Sequence, residues 1–428
     1  MSKLLSEKEY RGRVIDKQID DYLDTCGAVC IEGPKWCGKT WTSAYHSKSE
    51  FLVGDPAKNF QNRQFAMISP EEVLEGETPR LIDEWQEVPA LWDAIRGVVD
   101  KRGKSGQFLI TGSSTPKIKG VLHSGAGRIA RLRMHTMSLY ETGDSSGEIS
   151  LSDICGKKFV NKLTGDVNLR KLATFAIRGG WPGNLSSKEQ NIGILPLSYV
   201  DAILSDDIQR LSESQYDKHK LRLLLRSLAR NESTTCSNLS LIKDIQENDN
   251  SSIDRDTVVR YLEAFDRLFL LDNQKPFAPN FRSSLRVKQK EKHHFCDPAL
   301  ACAILGMTVD KLIGDLNTFG FIFEAMVEHD LKVYAQSFGG ELYHYQDYLN
   351  NEIDAVIELQ DGRWCAFEIK LGANRIDEGA KNLIHVNKVI EANGGKPADV
   401  LCVICGMSNA AYMREDEVYV IPFTALKN

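Results

Sequence analysis

The chain has 428 residues, too many for one ordinary hydrophobic core, so two or three domains are expected. Hydrophobic residues at 42% and charged residues at 26% are globular proportions, which exclude a largely disordered chain. A net charge of -6 excludes a global polyanion-binding surface, so any contact with nucleic acid must be local.

The stretch from Met1 to Arg13 is charged and offers no apolar core for a signal peptide, and no apolar run is long enough to span a bilayer. The ten cysteines lack a disulfide-scaffold spacing, and a cytoplasmic protein without membrane association is expected. Cys402 and Cys405 form a CxxC, but they sit in an apolar run that reads as a strand with no second pair nearby, so buried thiols are expected rather than zinc.

The first motif is Ala28 to Thr40, an apolar run ending at Gly33, four variable residues, and Gly38-Lys39-Thr40 opening a segment with no breaker until Ser47. Strand, phosphate-binding loop and helix follow. The glycines let backbone N–H groups point inward at phosphate oxygens while the new helix turns its positive end toward the anion. Lys39 is expected on the outer phosphates and Thr40 on Mg2+, and the nucleotide-contacting set is Gly33, Pro34, Lys35, Trp36, Cys37, Gly38, Lys39, Thr40 and Trp41, with Asp83 and Ser113 from later strands. The ligand is ATP.

Phe51 to Asp55 reads as a second strand, and Arg80 to Trp85 as a third that ends in two carboxylates before a helix opened by Pro89. Asp83 would hold the Mg2+ shell together with Thr40, and Glu84 would polarise the attacking water. Gln107 to Ser114 gives a strand tipped with hydroxyls, of which Ser113 or Ser114 would sense the terminal phosphate. Strands alternating with helices from Ala28 to Met137 predict a parallel sheet covered on both faces, with ligands at the carboxyl ends of its strands. Arg128 is the candidate arginine finger, in cis or from a neighbouring subunit, with an ordinary ion pair as the alternative. Arg178 is a second candidate, again against a structural ion pair.

Gly33 to Thr40, Leu81 to Glu84, Thr111 to Ser114, Gly127-Arg128 and Gly179 to Gly183 together resemble a family of prokaryotic AAA-type ATPases. The resemblance covers nearly the whole chain. It implies an α/β P-loop core at 1–145, a helical lid or linker at 146–215, a winged helix-turn-helix at 216–295 and, at 296–428, a domain of uncharacterised function similar to PD-(D/E)XK nucleases.

Helix-like segments at Tyr216 to Arg230, Leu239 to Gln246 and Asp256 to Leu271 precede a basic stretch, Arg282 to His294. From Arg255 to His294 nine Lys or Arg face five Asp or Glu, an excess that permits phosphate contacts with DNA. Arg286, Lys288 and Lys290 would share one strand face, serving either DNA or protection of an edge strand.

Further on, Phe319 onward reads as a helix carrying Glu324. Glu352 to Leu359 and Trp364 to Lys370 then read as a hairpin around Asp361-Gly362. The hairpin brings Asp354 to Glu368 and Lys370, and residues two apart on a strand share a face. Glu324, Asp354 and Glu368 are hard oxygen ligands suited to Mg2+ or Mn2+, and Lys370 would position water or offset charge. This order resembles the PD-(D/E)XK core, though no glutamine follows in Ile376 to Ala392. The alternatives are a metal-dependent nuclease controlled by ATP, a nucleotide-switched module that binds but does not cut, and a homo-oligomeric remodelling ATPase.

Overall fold

The computed structural model describes residues 10–114, 124–211, 216–279 and 290–428. The chain divides into two compact units, the first built mainly from Met1–Thr136 with Ala264–Leu270, the second from the remainder.

In the first unit, five strands, β1 (Ala28–Glu32), β2 (Ser49–Leu52), β3 (Arg80–Asp83), β4 (Phe108–Gly112) and β5 (Ile129–Arg133), form a parallel sheet in the order β2-β3-β4-β1-β5. Side chains alternate across β1, and both faces are covered. Ala28 and Cys30 pack with Trp92 and Ile95 of the helix Ala90–Arg102, while Val29 and Ile31 pack with Ile19 and Leu23 of the helix Asp16–Thr25. Leu91, Ile95 and Val99 recur at helical spacing, which is why that helix turns this face inward. Burying each such side chain contributes roughly 1.5–3 kcal/mol. Because β4 lies between β1 and β3, the carboxyl ends of the three strands come together at one edge of the sheet.

The second unit contains β6 (Ile149–Ser150), β7 (Lys162–Leu163), β8 (Lys275–Pro276), β9 (Glu341–Gln346), β10 (Glu352–Glu358), β11 (Trp364–Lys370), β12 (Val400–Cys405), β13 (Ala410–Met413), β14 (Val418–Pro422) and β15 (Leu426–Lys427). Eight of these form a mixed sheet ordered β7-β13-β14-β12-β11-β10-β9-β8, and β6 pairs with β15 separately. The helix Ile376–Ala392 lays Ala380, Leu383, Val386 and Ile390 on Val356, Trp364, Ala366 and Val403 of the central strands. The sheet's outer strands at 162–163 and 275–276 come from segments upstream of residue 296. The expected helices of the middle segment occur at Lys218–Arg230, Asn238–Asp249 and Arg255–Arg267. Arg282, Arg286 and Lys288 lie outside the described residues.

Gly179 to Gly183 packs within this second unit. The Gly180 N–H donates to Asp297 Oδ2 at 2.8 Å, its carbonyl accepts from Met137 N at 2.8 Å, and Trp181 is buried. Arg178 pairs with Asp144 at 2.7 Å, the structural alternative to a catalytic arginine. Cys402 and Cys405 are buried thiols on β12.

Candidate nucleotide site and the C-terminal acidic cluster

The loop after β1 turns through Trp36 (φ 63°) and Gly38 (φ 108°) before the helix Lys39–Tyr45 begins. At Gly33 a Cβ would lie 2.1 Å from Met134 O, so backbone contact leaves room for glycine alone. Lys39 is buried, and its Nζ donates to Gly33 O at 3.0 Å and Pro34 O at 2.7 Å, which places the ammonium under the loop. Lys35 is half-buried and Cys37 buried, whereas Trp36 and Trp41 are exposed.

Asp83 and Glu84 stand at the end of β3. Thr40 Oγ1 donates to Asp83 Oδ1 at 2.8 Å, and Thr111 Oγ1, from β4, donates to the same oxygen at 2.6 Å. Burial raises the Asp83 carboxyl above its usual range, opposed by these hydrogen bonds. Thr111 Oγ1 also accepts from Glu84 N at 2.9 Å, tying the two strand ends together. Glu84 is held at φ 57°, ψ 48°, a left-handed conformation costing a non-glycine residue about 1–3 kcal/mol. Its Oε2 accepts from Ser113 Oγ at 2.9 Å and from Gln86 Nε2. Ser113, expected to face phosphate, thus touches the carboxylate of Glu84. Gln86 went unread in the sequence, although an amide two residues after a paired carboxylate is a visible signal.

Arg128 stands elsewhere. It precedes β5, whose first residue pairs with Ala28 at the start of β1, so it lies at the end of the sheet opposite the phosphate loop. There its Nε donates to Asp100 Oδ1 at 2.7 Å. Across the length of β1 it does not reach this chain's own loop, which corrects the expectation of a finger in cis. Arg133, paired in register with Glu32, is the β5 arginine at the loop end, and its guanidinium lies over the Phe269 ring at 4.2 Å.

In the second unit the expected hairpin forms. β10 and β11 pair antiparallel around Gly362 (φ 78°). Asp354 Oδ2 accepts from Ile369 N at 2.8 Å and from Lys370 Nζ at 3.3 Å, and Lys370 Nζ also pairs with Glu368 Oε2 at 2.5 Å. Asn382, from the helix Ile376–Ala392, donates to Glu368 Oε1 at 2.8 Å, so an amide approaches from the helix where no glutamine stands. Burial and Asp354 push the Glu368 carboxyl up to about 7 despite Lys370.

Glu324 lies on the helix Leu316–Ser337, one turn before Glu328. Between them sits Lys292, which the sequence reading counted among possible phosphate contacts. It is buried, and its Nζ donates to Glu324 Oε1 at 2.8 Å, Glu328 Oε1 at 2.9 Å and Asp354 O at 2.9 Å. His294 continues the chain of charges, with Nδ1 3.1 Å from Glu232 Oε1 and Nε2 3.0 Å from Glu328 Oε2. Burial would lower the Lys292 ammonium, but Glu324, Glu328 and Asp354 outweigh it and raise it. Burial likewise opposes the charge on His294, yet Glu328 and Glu232 lift it to about 9. Burial pushes Glu324 up to about 8, whereas Lys292 and His294 hold Glu328 below its usual range against burial. Glu324, Asp354 and Glu368, expected as a Mg2+ or Mn2+ set, are therefore each paired with a lysine. Among the described residues no group of three or more His, Cys, Asp or Glu side chains is arranged to hold a metal ion.

Residues 26–143 match a family model described as an AAA domain, while 169–311 and 319–426 match two domains of unknown function, DUF8612 and DUF4143. The uncharacterized proteins Mb2031c of Mycobacterium bovis and Rv2008c of Mycobacterium tuberculosis are each 23% identical over 352 residues, 81% of this chain and 71% of theirs. Among solved structures, the Walker-type ATPase PABY2304 of Pyrococcus abyssi aligns at 12% identity and TM-score 0.44 over 70% of this chain and 97% of its own. The Aeropyrum pernix ORC1 protein, solved in complex with DNA, aligns at 11% identity and TM-score 0.28 over 71% and 93%. No helix among the described residues is long and apolar enough to cross a membrane. With the phosphate loop and the Asp83–Glu84 pair at one end of a parallel sheet, the match over 26–143 makes the N-terminal part of the chain an AAA-type P-loop ATPase domain.

Proposed function

We propose that the chain is a Mg2+-dependent ATP hydrolase whose nucleotide state governs what its remaining parts bind. The observation that carries this is the double hydrogen bond of Thr40 and Thr111 to one oxygen of Asp83, with Glu84 next to it and Lys39 beneath the loop. ATP and Mg2+ fit this donor set, since the loop offers backbone N–H groups and an ammonium to phosphate, and Thr40 and Asp83 are hard oxygen donors. When bound, the metal would neutralise charge developing on the transferred phosphoryl group. Lys39 would bind the outer phosphates, and Glu84 would orient the attacking water and accept its proton. Ser113 and Gln86 would fix the aim of that carboxylate.

We read the parts as an ATPase core at 1–145, a helical linker at 146–215, a winged-helix-like segment at 216–295 and a nuclease-like domain at 296–428. For the last, the reading favoured is a module that binds without cutting. Lys292 and Lys370 already supply the positive charge that a divalent cation would bring to Glu324, Asp354 and Glu368. DNA is the proposed partner, met by exposed basic residues such as Arg255, Arg260 and Lys290. The test uses labelled single- and double-stranded DNA with Mg2+ or Mn2+, with and without ATP. Salt-sensitive binding without cleavage supports this reading, and cleavage that is lost in Asp354→Ala overturns it in favour of a nuclease.

A further inference from the structure

Arg13 precedes the first helix and had no part in the motif, yet it is buried against the phosphate loop. Its Nη1 donates to Cys37 O at 2.8 Å and its Nη2 to His135 O at 3.0 Å. The arginine is itself anchored, since its backbone N–H donates to Asp16 Oδ2 at 2.7 Å. The fork therefore ties the second half of the loop to the segment that follows β5. The first half leans on the same segment, where Gly33 abuts Met134 O and Met134 N donates to Glu32 O at 2.7 Å.

The chemistry follows from peptide geometry. The only cis bond among the described residues is Thr78–Pro79, so the Cys37–Gly38 peptide is trans. In a planar trans peptide the C=O and the next N–H point in opposite directions. A guanidinium that holds the Cys37 carbonyl on its own side therefore turns the Gly38 N–H to the other side of the loop. Gly38, at φ 108°, can accept this orientation without the clash a side chain would bring. We infer that Arg13 is a positioning residue for phosphate binding, presenting the Gly38 N–H to the nucleotide's phosphates by pinning the carbonyl of the same peptide. This rests on the ATPase reading above. It adds a residue outside the motif on which the loop's anion affinity depends.

The test measures ATP, ADP and inorganic pyrophosphate affinity by calorimetry, with KM and kcat, for the parent, Arg13→Met and Arg13→Lys. Arg13→Met should weaken all three ligands by about tenfold, the scale of one charge-assisted hydrogen bond. Equal loss for ATP and pyrophosphate locates the effect at the phosphates, and KM should rise with kcat little changed. Arg13→Lys has a single ammonium in place of the fork and should fall between the two. Should Arg13→Met not fold, Arg13→Lys alone decides. Parent-like affinity for pyrophosphate and ATP in the folded variants overturns the role of Arg13, whereas a parent that binds no ATP overturns the ATPase reading itself.

Discussion

Replacing Lys292 by alanine should destabilise the second unit severely. The ammonium makes three contacts under 3 Å, to Glu324, Glu328 and Asp354 O, and the two carboxylates are themselves poorly exposed. Removing one partner of a buried ion pair leaves an uncompensated charge and costs about 3–5 kcal/mol. At about 2–4 °C per kcal/mol for a unit of this size, the melting temperature should fall by roughly 6–20 °C. Urea unfolding followed by circular dichroism measures the loss directly. Adding Glu324→Gln to Lys292→Ala removes the carboxylate that has lost its cation, whereas Glu328 keeps His294, and should recover about 1–3 kcal/mol, so the double variant is more stable than additivity predicts. The deficit should also shrink toward pH 5, where the stranded carboxylates take up protons. A loss below about 1 kcal/mol for Lys292→Ala, unchanged by pH, would refute the view that this lysine neutralises the cluster.

The same cluster predicts an alkaline weakness. Glu368, Glu324 and His294 have folded pKa values raised to about 7, 8 and 9, so their stabilising contributions are complete below the unfolded values and are lost as pH rises through the folded ones. The urea midpoint of the second unit should therefore fall progressively from about pH 4.5 to pH 9, with the Glu368 share gone by about pH 7 and the His294 share last, and a flat profile across that range contradicts the assignment. In the first unit, Glu84→Gln should slow ATP hydrolysis about 10²–10⁴-fold, as expected for loss of a general base, while the ATP dissociation constant stays within a few-fold. A hydrolysis rate equal to the parent's would remove Glu84 from the chemistry.

How much of this was legible depended on whether the signal was local. The strand, loop and helix at Ala28 to Tyr45 were legible because Gly33, Gly38, Lys39 and Thr40 act through the backbone they sit in. The hairpin at Glu352 to Lys370 was legible because Asp361-Gly362 fixes its turn. Strand order was not, so although Thr40 and Asp83 were expected to meet at the metal, the hydroxyl of Thr111 that joins them from the intervening β4 emerged only from the fold. The Arg128 expectation was open to correction from sequence: ligands gather at the carboxyl ends of parallel strands, and that rule points to Arg133 over Arg128. Lys292 was the least legible. It lies in a run of lysines and histidines that reads as a solvated face, and only the helix bearing Glu324 and Glu328 turns it inward. Arg13 was invisible for a related reason, because its partners are backbone carbonyls at residues 37 and 135.

We propose that Lys39, Thr40, Asp83 and Glu84 form one ATP-hydrolysing site. Its most direct test is phosphate release from ATP by the purified parent and Lys39→Ala proteins, with Mg2+ and with the metal chelated. The parent should release phosphate steadily in a Mg2+-dependent manner, and Lys39→Ala should abolish the release. Hydrolysis by Lys39→Ala at the parent's rate, or a parent rate indifferent to Mg2+, would contradict it.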